Sequence, residues 1–520
     1  MKSSNKTQKH HRGKEADDEP VQEKKHGLKL KRLGIDTHKE HVAYMRADCH
    51  VCVSEGFEAL SRIRITNTEH SIVANLNTVN SDLLSEGEIA LSEMAFLALH
   101  AEEGAYVSVS HLGPLHSMSY VRAKIFGKQI PPEGIDEIVS DVVKGNYSNV
   151  HLASFITAFA GDHMSAGEVI SLTKAMIACG NRITWGKNMI VDKHCIGGLP
   201  GNRTTPIVVP IIAAAGLTMP KTSSRAITSP AGTADTMEVM TPVNLGIEKI
   251  KEVVEKEGAC IAWGGIANLS PADDILIRVE RALDLDSEGQ MIASVLSKKV
   301  AAGSTHVVID MPVGETAKLR SIESANHLMV MMEEVAHAIG LKIKVVITDG
   351  TQPVGRGIGP VQEAIDVLSV LRNEEDAPPD LRQRALLIAG ELLELSGKAE
   401  QGEGNKMASA LLTSGKAYEK FLAICEAQGG FTEPVQAKYT HQVAAEKTGT
   451  VVSIDNRRLA QIAKLAGAPD HRAAGIKFLS PAGKKVTKGE ALFIIYTEAE
   501  GQLEYALQYY ESEKNIITIN

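Results

Sequence analysis

The sequence is short of the features that suit a protein to membranes, to disulfide bonding or to nucleic acids. No apolar run reaches the ~18 residues of a membrane-spanning helix, and the first residues lack the apolar core of a signal peptide. The six cysteines are scattered without the spacing of a disulfide framework, as expected in a reducing cytoplasm. The net charge is −9, and no basic stripe is interleaved with the few aromatic residues. We therefore expect a cytoplasmic protein with no membrane or nucleic-acid partner.

The first and last parts of the chain predict a tail and two small domains. Residues 1–27 are charged and have little to bury, which predicts a disordered tail. Residues 28–114 contain short alternating stretches and one apolar run, 88–100, that suits a helix. This pattern indicates a small N-terminal mixed α/β domain. Residues 431–520 are rich in strand patterns and predict a small C-terminal β-rich domain.

Two larger segments between them predict an α/β fold with a separate helical domain. Residues 115–187 show apolar residues at three- and four-residue spacing, which is typical of packed helices. Residues 188–430 alternate strand-like and helix-like runs, which predicts a mainly parallel mixed sheet covered by helices. The helices expected are 131–143, 148–159 and 165–179 in the first segment, and 317–339, 362–371 and 381–395 in the second.

Residues 191–206, Val-Asp-Lys-His-Cys-Ile-Gly-Gly-Leu-Pro-Gly-Asn-Arg-Thr-Thr-Pro, carry the strongest chemical signal. A strand pattern runs into Lys193 and His194, glycines follow, and a helix is expected to begin with Thr205 as N-cap and Pro206 as first residue. Glycines let backbone N–H groups approach a ligand, and a helix N-terminus favours an anion. These features and the lysine charge predict an oxyanion site with phosphate as its occupant. Hydroxyl donors to it would come from Thr204, Thr205, Ser223 and Thr233.

A tight strand-to-helix turn is the plainer interpretation of this glycine loop, since glycines are common at turns. The spacing matches neither G-x-x-x-x-G-K-[ST] nor G-x-G-x-x-G, which argues against a nucleoside-triphosphate or dinucleotide loop. The adjoining Lys-His pair and a second loop rich in hydroxyl groups and glycine favour the anion site over the plain turn.

Two composite motifs resemble the thymidine/pyrimidine-nucleoside phosphorylase family, which includes the AMP phosphorylases. One is Asp-Lys-His-x-x-Gly-Gly at 192–198, and the other is Ser-Ser-Arg-Ala-Ile-x-x-x-Ala-Gly-Thr-x-Asp-x-Met-Glu at 223–238. The similarity covers about residues 122–520, and the part before it resembles the additional N-terminal domain of the AMP-directed branch. Residues 272–301 resemble the family segment that returns to the helical domain and carries base-contacting groups.

The resemblance implies phosphorolysis of thymidine or a related pyrimidine nucleoside, in which orthophosphate attacks C1′ and releases the free base and a sugar 1-phosphate. Orthophosphate would be a co-substrate, no metal or cofactor is expected, and the family implies a homodimer. His194 is expected to be the catalytic group that assists departure of the base. Base contacts would come from Ser294 and Lys298, which share a helix face, and from Arg281, with Arg278 as the alternative arginine. The implied phosphate-binding residues are Lys193, Cys195, Gly197, Gly198, Thr204, Thr205, Ser223 and Thr233.

Three positions depart from the family pattern. Cys195 stands where the motif has serine, and a thiol is a weak hydrogen-bond donor. Pro230 stands where the family has threonine or alanine, and Glu280 lies between the two candidate arginines.

Other functions remain open at this point. The chain could act on AMP or another nucleoside 5′-monophosphate and give ribose 1,5-bisphosphate, for which Arg203 is the candidate 5′-phosphate ligand. It could be a catalytically silent nucleotide sensor, with Cys195 as the feature that suggests it. Anthranilate-phosphoribosyltransferase chemistry shares the architecture but would need a diphosphate–magnesium site.

Three further patterns leave expectations to be checked. Cys49-x-x-Cys52 has one zinc-like spacing, with His38 and His41 nearby, but ordinary strand residues are favoured because no second cysteine pair exists. The run 349–359 follows a strand and either lines the cleft or forms a structural turn. Because Lys193 and the proposed base ligands belong to different domains, the cleft between these domains is expected to close on substrate.

Overall fold

The computed structural model describes residues 27–37, 40–226, 229–267, 269–283, 285, 287–513 and 515–520. The predicted tail therefore lies outside the described residues, apart from Gly27. Contacts group the chain into two compact units, one of residues up to 116 with 145–148, and one of residues 117–144 with 149–520. No helix in the described ranges has the length and apolar character needed to cross a membrane.

The first unit is a closed six-stranded barrel with two short helices. Its strands follow the order β1-β5-β2-β4-β3-β6 around the barrel, and alternate residues of β3 face its apolar core. The elements are β1 (Leu28–Arg32), β2 (Val42–Arg46), α1 (His50–Glu55), β3 (Arg62–Thr66), β4 (Ser71–Val79), β5 (Glu88–Leu91), α2 (Glu93–Ala98) and β6 (Tyr106–His111).

Two expectations for this unit are wrong. The run 88–100 is not one helix: its first residues form β5, which pairs with β1 and β2, and Ser92 caps the short helix α2. Cys49 and Cys52 are not strand residues, since Cys49 is the N-cap of α1 and its Sγ accepts the Cys52 N–H at 3.3 Å. Of the two histidines considered with them, His38 lies outside the described residues.

The second unit begins with α3 (Ser117–Ile125), for which no separate helix was predicted, and continues with the three predicted helices, α4 (Pro132–Val143), α5 (Asn149–Ala158) and α6 (Ala166–Cys179). The predicted capping box at the start of α6 is confirmed: Ser165 Oγ accepts the Glu168 N–H, and Glu168 Oε2 accepts the Ser165 N–H at 2.9 Å. Glu168 also accepts a hydrogen bond from Lys124 Nζ at 2.6 Å, and both side chains are buried. This pair ties α3 to α6.

The α/β part follows and contains a parallel sheet in the order β11-β10-β7, with β8 parallel to β9 beside it. The predicted combination of a helical domain and a mainly parallel α/β domain is confirmed. Its elements are β7 (Val191–Cys195), α7 (Thr205–Ala214), β8 (Met219–Ser223), α8 (Thr233–Glu238), α9 (Ile247–Glu257), β9 (Ala259–Trp263), α10 (Pro271–Leu283), α11 (Glu288–Ala301), β10 (His306–Val313), α12 (Ile322–Ala338), β11 (Lys342–Asp349), β12 (Gly357–Ile358), α13 (Pro360–Leu371), α14 (Pro379–Leu395), α15 (Gly404–Thr413) and α16 (Lys416–Gln428).

Two details of this part differ from or refine the sequence expectations. The helix predicted over 317–339 begins only at Ile322, because Ser321 caps it and Ala317 donates its N–H to Gly314 O in a preceding turn. In the run 349–359, β12 pairs with β15 of the C-terminal sheet, and Asp366 accepts the N–H groups of residues 356 and 357. These contacts favour the structural interpretation of the run.

The C-terminal part consists of two small sheets, β12-β15-β17-β13 and β16-β14-β18, around one apolar core with helices α17 and α18. Its elements are β13 (Tyr439–Ala444), β14 (Gly449–Ile454), α17 (Asn456–Leu465), β15 (Gly475–Phe478), β16 (Lys485–Val486), β17 (Ala491–Thr497), α18 (Glu500–Ser512) and β18 (Ile517–Ile519).

Candidate functional site

The Lys-His-Cys motif lies within strand β7 and not in the loop after it. Lys193, His194 and Cys195 pair with Val308, Ile309 and Asp310 of β10. Successive side chains of a strand point to opposite faces, so residues 193 and 195 share one face and residues 192 and 194 share the other. The motif therefore presents different groups to the two sides of β7 at the carboxyl end of a parallel sheet, where ligands of such sheets bind.

The glycine loop after β7 has a backbone that only glycine adopts readily. Gly197, Gly198 and Gly201 have φ values of 92°, 79° and 70°. A Cβ on Gly198 would lie 2.8 Å from the Lys318 backbone N, and one on Gly201 would lie 2.6 Å from Val354 O. A Cβ on Gly197 would meet no atom within 4 Å. A side chain at residue 197 would therefore meet open space, whereas one at residue 198 or 201 would collide with backbone atoms.

Helix α7 begins at Thr205, so the predicted N-cap at this residue is wrong by one position: the cap is Thr204. The Thr204 hydroxyl makes no cap hydrogen bond to the helix, because it accepts instead from Lys193 Nζ at 2.6 Å. Lys193 is 2% exposed, and burial lowers its pKa. A buried lysine at a helix N-terminus, held by one hydroxyl, would supply positive charge to an anion bound beside this helix.

The second loop is organised by Asp235, whose Oδ2 accepts the N–H groups of Ala226 at 2.6 Å and Gly232 at 2.8 Å. Ser223, at the end of β8, has a buried hydroxyl without a hydrogen-bond partner among the residues that the structure describes. A buried polar atom without a partner is unusual, and an anion at this position would satisfy it. Residues 227–228 of this loop lie outside the described residues.

Arg203 connects the two loops. Its NH1 donates to Thr233 Oγ1 at 3.1 Å, its NH2 donates to Ala231 O at 2.8 Å, and its Nε donates to Glu363 Oε2 at 2.5 Å. Each guanidinium nitrogen therefore makes one hydrogen bond within the protein, which uses three of the five N–H donors of the side chain. These contacts hold Thr233 in place, and the role of Arg203 as a 5′-phosphate ligand stays a prediction.

His194 is surrounded by positive charge. Burial lowers its pKa well below the ordinary value, and the charges of four lysines lower it further. The imidazole is consequently neutral at physiological pH, when one ring nitrogen carries a proton and can donate a hydrogen bond. The four lysines, in order of decreasing effect, are Lys299, Lys221, Lys298 and Lys193.

Cys195 stays a protonated thiol. Burial and the neighbouring Asp310 raise its pKa to about 12. Asn202 Nδ2 lies 3.3 Å from Cys195 Sγ and donates to Asp310 Oδ2 at 3.2 Å. Residue 195 can therefore offer an anion only its weak S–H donor and its backbone N–H.

The proposed base ligands lie on helix α11. Lys298 Nζ donates to Ser294 Oγ at 3.0 Å and to Asp273 Oδ2 at 2.7 Å, so the two residues share a face as predicted. Because the charge of Lys298 lowers the His194 pKa, this face of α11 lies close enough to β7 for the two side chains to interact electrostatically. The Arg281 side chain lies outside the described residues.

Three charged residues of the site were missed in the sequence. Asp192 is fully buried, Lys299 Nζ donates to its Oδ2 at 2.6 Å, and Lys221 Nζ lies 3.3 Å from its Oδ1. Burial alone would raise the Asp192 pKa, but Lys221 and Lys299 hold it below the usual value. Burial also lowers the Lys299 pKa to about 7. One feature could have revealed this cluster: Lys221 lies inside strand β8, whose residues are all buried, and a buried charge requires a partner.

These groups together suit the binding of a small anion next to a polar ring. One face of β7 offers a lysine, hydroxyls and backbone N–H groups, and the other offers a neutral imidazole among lysines. Within the described part of the chain, no group of three or more histidine, cysteine or carboxylate side chains could hold a metal ion.

Three family models match the chain. Residues 118–180 match the helical bundle domain of a glycosyl transferase family, residues 187–418 match the α/β domain of that family, and residues 450–516 match the C-terminal domain of pyrimidine nucleoside phosphorylases. The three matches correspond to the helical, α/β and C-terminal parts of the second unit.

Curated relatives match almost the whole chain. A protein of Legionella pneumophila (strain Corby) is 55% identical over 494 residues, which are 95% of this chain and 96% of the relative. A protein of Hahella chejuensis (strain KCTC 2396) is 56% identical over 492 residues, which are 95% of this chain and 97% of the relative. Both are provisionally named thymidine phosphorylase.

A solved structure shares the fold at low identity. The anthranilate phosphoribosyltransferase of Thermus thermophilus superposes with a TM-score of 0.51 at 20% identity, covering 59% of this chain and 99% of its own. This likeness concerns the architecture alone.

Proposed function

Because this chain belongs to the pyrimidine nucleoside phosphorylase family, we propose that it cleaves thymidine or a related pyrimidine nucleoside with orthophosphate. The chain is a pentosyltransferase of the thymidine phosphorylase type. The products would be the free base and ribose or deoxyribose 1-phosphate. Orthophosphate is the second substrate, and the scheme uses no cofactor.

The observation that supports this proposal most strongly is the two-sided arrangement of β7. Lys193 and residue 195 face the glycine loop and the hydroxyl of Thr204, which suits a phosphate. His194 faces the lysines of β8 and α11, which include the proposed base ligand Lys298. A nucleoside bound across the end of the strand would have its sugar carbon between a held nucleophile and a hydrogen-bond donor.

The chemistry follows from these groups. Lys193, the loop N–H groups and the hydroxyls hold the phosphate and orient one of its oxygens toward C1′, so attack becomes effectively intramolecular. A bond forms between that oxygen and C1′ while the bond from C1′ to the base nitrogen breaks. The electron pair passes into the base, whose exocyclic carbonyl oxygen gains negative charge. The N–H of neutral His194 donates to this oxygen, and the base takes up its proton from the surroundings.

Turnover of a substrate panel tests the proposal. Thymidine, uridine, AMP and CMP are incubated separately with the protein, with and without orthophosphate, and the released base is measured by chromatography. We expect release of thymine and uracil that depends on orthophosphate. Turnover of the monophosphates alone would replace the proposal with a nucleotide phosphorylase.

The same assay addresses the silent-sensor alternative. A protein that binds nucleosides without phosphate-dependent turnover, and whose activity Cys195→Ser does not restore, would be a sensor. We expect turnover in the wild type, because the Lys193 charge and the Thr204 hydroxyl are both in place.

A further inference from the structure

Helix α11 connects the helical bundle to the sheet that carries the phosphate site. At its start, Ser287 Oγ donates to Phe159 O at 3.0 Å and Gln290 Nε2 donates to Ile156 O at 3.2 Å. Near its end, Lys299 Nζ donates to Asp192 Oδ2 at 2.6 Å, in strand β7. The helix is thus anchored at one end in the bundle and at the other in the sheet.

Lys298 and Lys299 are adjacent in the helix but have different partners. Lys298 contacts Ser294 and Asp273, which belong to the proposed base side, and it is partly exposed. Lys299 is 4% exposed and contacts Asp192. Because neighbouring helix residues point about 100° apart, a shift or rotation of this turn moves both contacts together.

Asp192 passes this contact on to the phosphate side. Its Oδ1 accepts the backbone N–H of Lys193 at 2.7 Å, which fixes the strand at the residue that carries the phosphate-binding charge. Both Asp192 and Lys299 are buried, so a change in their separation is opposed by an ion pair in a poorly solvated site. The contacts form a continuous path from Lys298 through Lys299 and Asp192 to Lys193.

We propose that the Asp192–Lys299 ion pair is a positioning pair that couples the base site on α11 to the phosphate site on β7, so that each substrate alters the affinity for the other. This inference rests on the proposed function, since it needs a base site and a phosphate site. Neither residue is assigned a contact with substrate. Lys221 also approaches Asp192 and interacts with Lys299, but it belongs to β8 and not to α11.

The test measures binding with a pair of ligands that cannot react, orthophosphate and thymine. The dissociation constant of orthophosphate is determined by calorimetry without thymine and with saturating thymine. For the wild type we expect the two values to differ by about tenfold, within the range of coupled sites. For Lys299→Gln and Asp192→Asn we expect a difference of less than about twofold, because the connection between the sites is removed.

Two variants serve as controls. Lys221→Gln removes a charge beside the same carboxylate but keeps the hydrogen bond of Lys299 to Asp192, and it should change the phosphate affinity while keeping the wild-type ratio between the two conditions. Lys299→Arg keeps the ion pair and should restore the ratio. A general loss of structure would not produce this pattern, and thermal unfolding of each variant establishes that it is folded.

The outcomes separate the coupling from the proposed function. Suppose that the wild type turns over thymidine and that folded Lys299→Gln or Asp192→Asn keeps the wild-type ratio of the phosphate dissociation constants without and with thymine. This result overturns the coupling and leaves the proposed function standing. An equal loss in Lys221→Gln also overturns it, because the effect would then belong to the charge cluster in general. A wild-type protein that releases no base and binds no thymine overturns both.

Discussion

Replacement of His194 by alanine should lower turnover strongly and leave the affinity for orthophosphate nearly unchanged. The imidazole lies on the face of β7 opposite Lys193, so its removal does not touch the proposed phosphate ligands. Loss of one preorganised donor to developing negative charge lowers kcat by about 10²–10³-fold, or roughly 2.7–4 kcal/mol. The assay is release of thymine from thymidine in single turnover, with the phosphate affinity measured separately by calorimetry.

The pH profile shows how His194 acts. Since burial and then the neighbouring lysines lower its pKa, the imidazole stays neutral as the pH falls to its ordinary value of about 6.5, and protonates only below it. A neutral donor therefore predicts a wild-type kcat/KM that does not fall between about pH 8 and 6.5 on account of this group. A group that had to be protonated beforehand would instead make kcat/KM rise steadily as the pH falls through that range.

A second histidine of the same sheet provides the matched control. His306 is the first residue of β10 and pairs with Val191, the first residue of β7, whereas His194 lies near the other end of β7. Its Nδ1 forms a hydrogen bond with Thr305 Oγ1 at 2.8 Å. His306→Gln should leave kcat unchanged. Full activity of His194→Ala, or a large loss of phosphate affinity at unchanged kcat, would refute the role assigned to His194.

Three further changes have defined expectations. Lys193→Ala should raise the KM for orthophosphate by about 10- to 150-fold, since a hydrogen bond to a charged group contributes about 1.5–3 kcal/mol, and an unchanged KM would contradict the site. Cys195→Ser should tighten phosphate binding by about 2- to 12-fold in calorimetry, because a hydroxyl is a better donor than the partly buried thiol, whereas weaker binding would contradict a side-chain contact. Lys124→Met should lower the free energy of unfolding by about 3–5 kcal/mol in denaturant titrations, because buried Glu168 loses its partner. Burial opposes the charge of Glu168, but Lys124 and backbone N–H groups keep the Glu168 pKa below its ordinary value. The contribution of this carboxylate to the free energy of unfolding is therefore present at neutral pH and is lost as the pH falls through the lowered pKa. An unfolding free energy that Lys124→Met leaves unchanged at pH 7 would contradict this.

Features that depend on nearby residues could be predicted from the sequence. The capping box of α6 involves residues three apart, and Ser294 and Lys298 share a helix face because they are four apart. The parallel strands β10 and β11 were indicated by apolar runs between helical patterns. In each case the partners that determine the structure lie within one turn of helix or one strand, so the local pattern contains the necessary information.

Features decided by distant partners could not be predicted in this way. Residues 88–91 form a strand because β1 and β2 provide hydrogen-bond partners, although the run itself suits a helix. Thr204 is the cap of α7, but its hydroxyl accepts a hydrogen bond from Lys193, which is 11 residues away in the chain. Arg203 donates a hydrogen bond to Glu363, which is 160 residues away. The chemical type of each residue indicated a possible ligand, but the local sequence did not show which distant side chain it contacts in the fold.

The buried charges around Asp192 mark the boundary between what sequence patterns can and cannot establish. Lys221 lies in a strand whose five residues are all buried, and an opposite charge beside a buried ammonium group offsets the cost of its burial. The sequence therefore pointed to an acidic partner in the core without identifying it. Asp192 fulfils this requirement for Lys221 and also for Lys299, which is 107 residues away in the chain. Lys221 of β8 and Lys299 of α11 share this one carboxylate, so the charge balance of the core and the geometry of the site depend on the same residue. A change at Asp192 should therefore affect both.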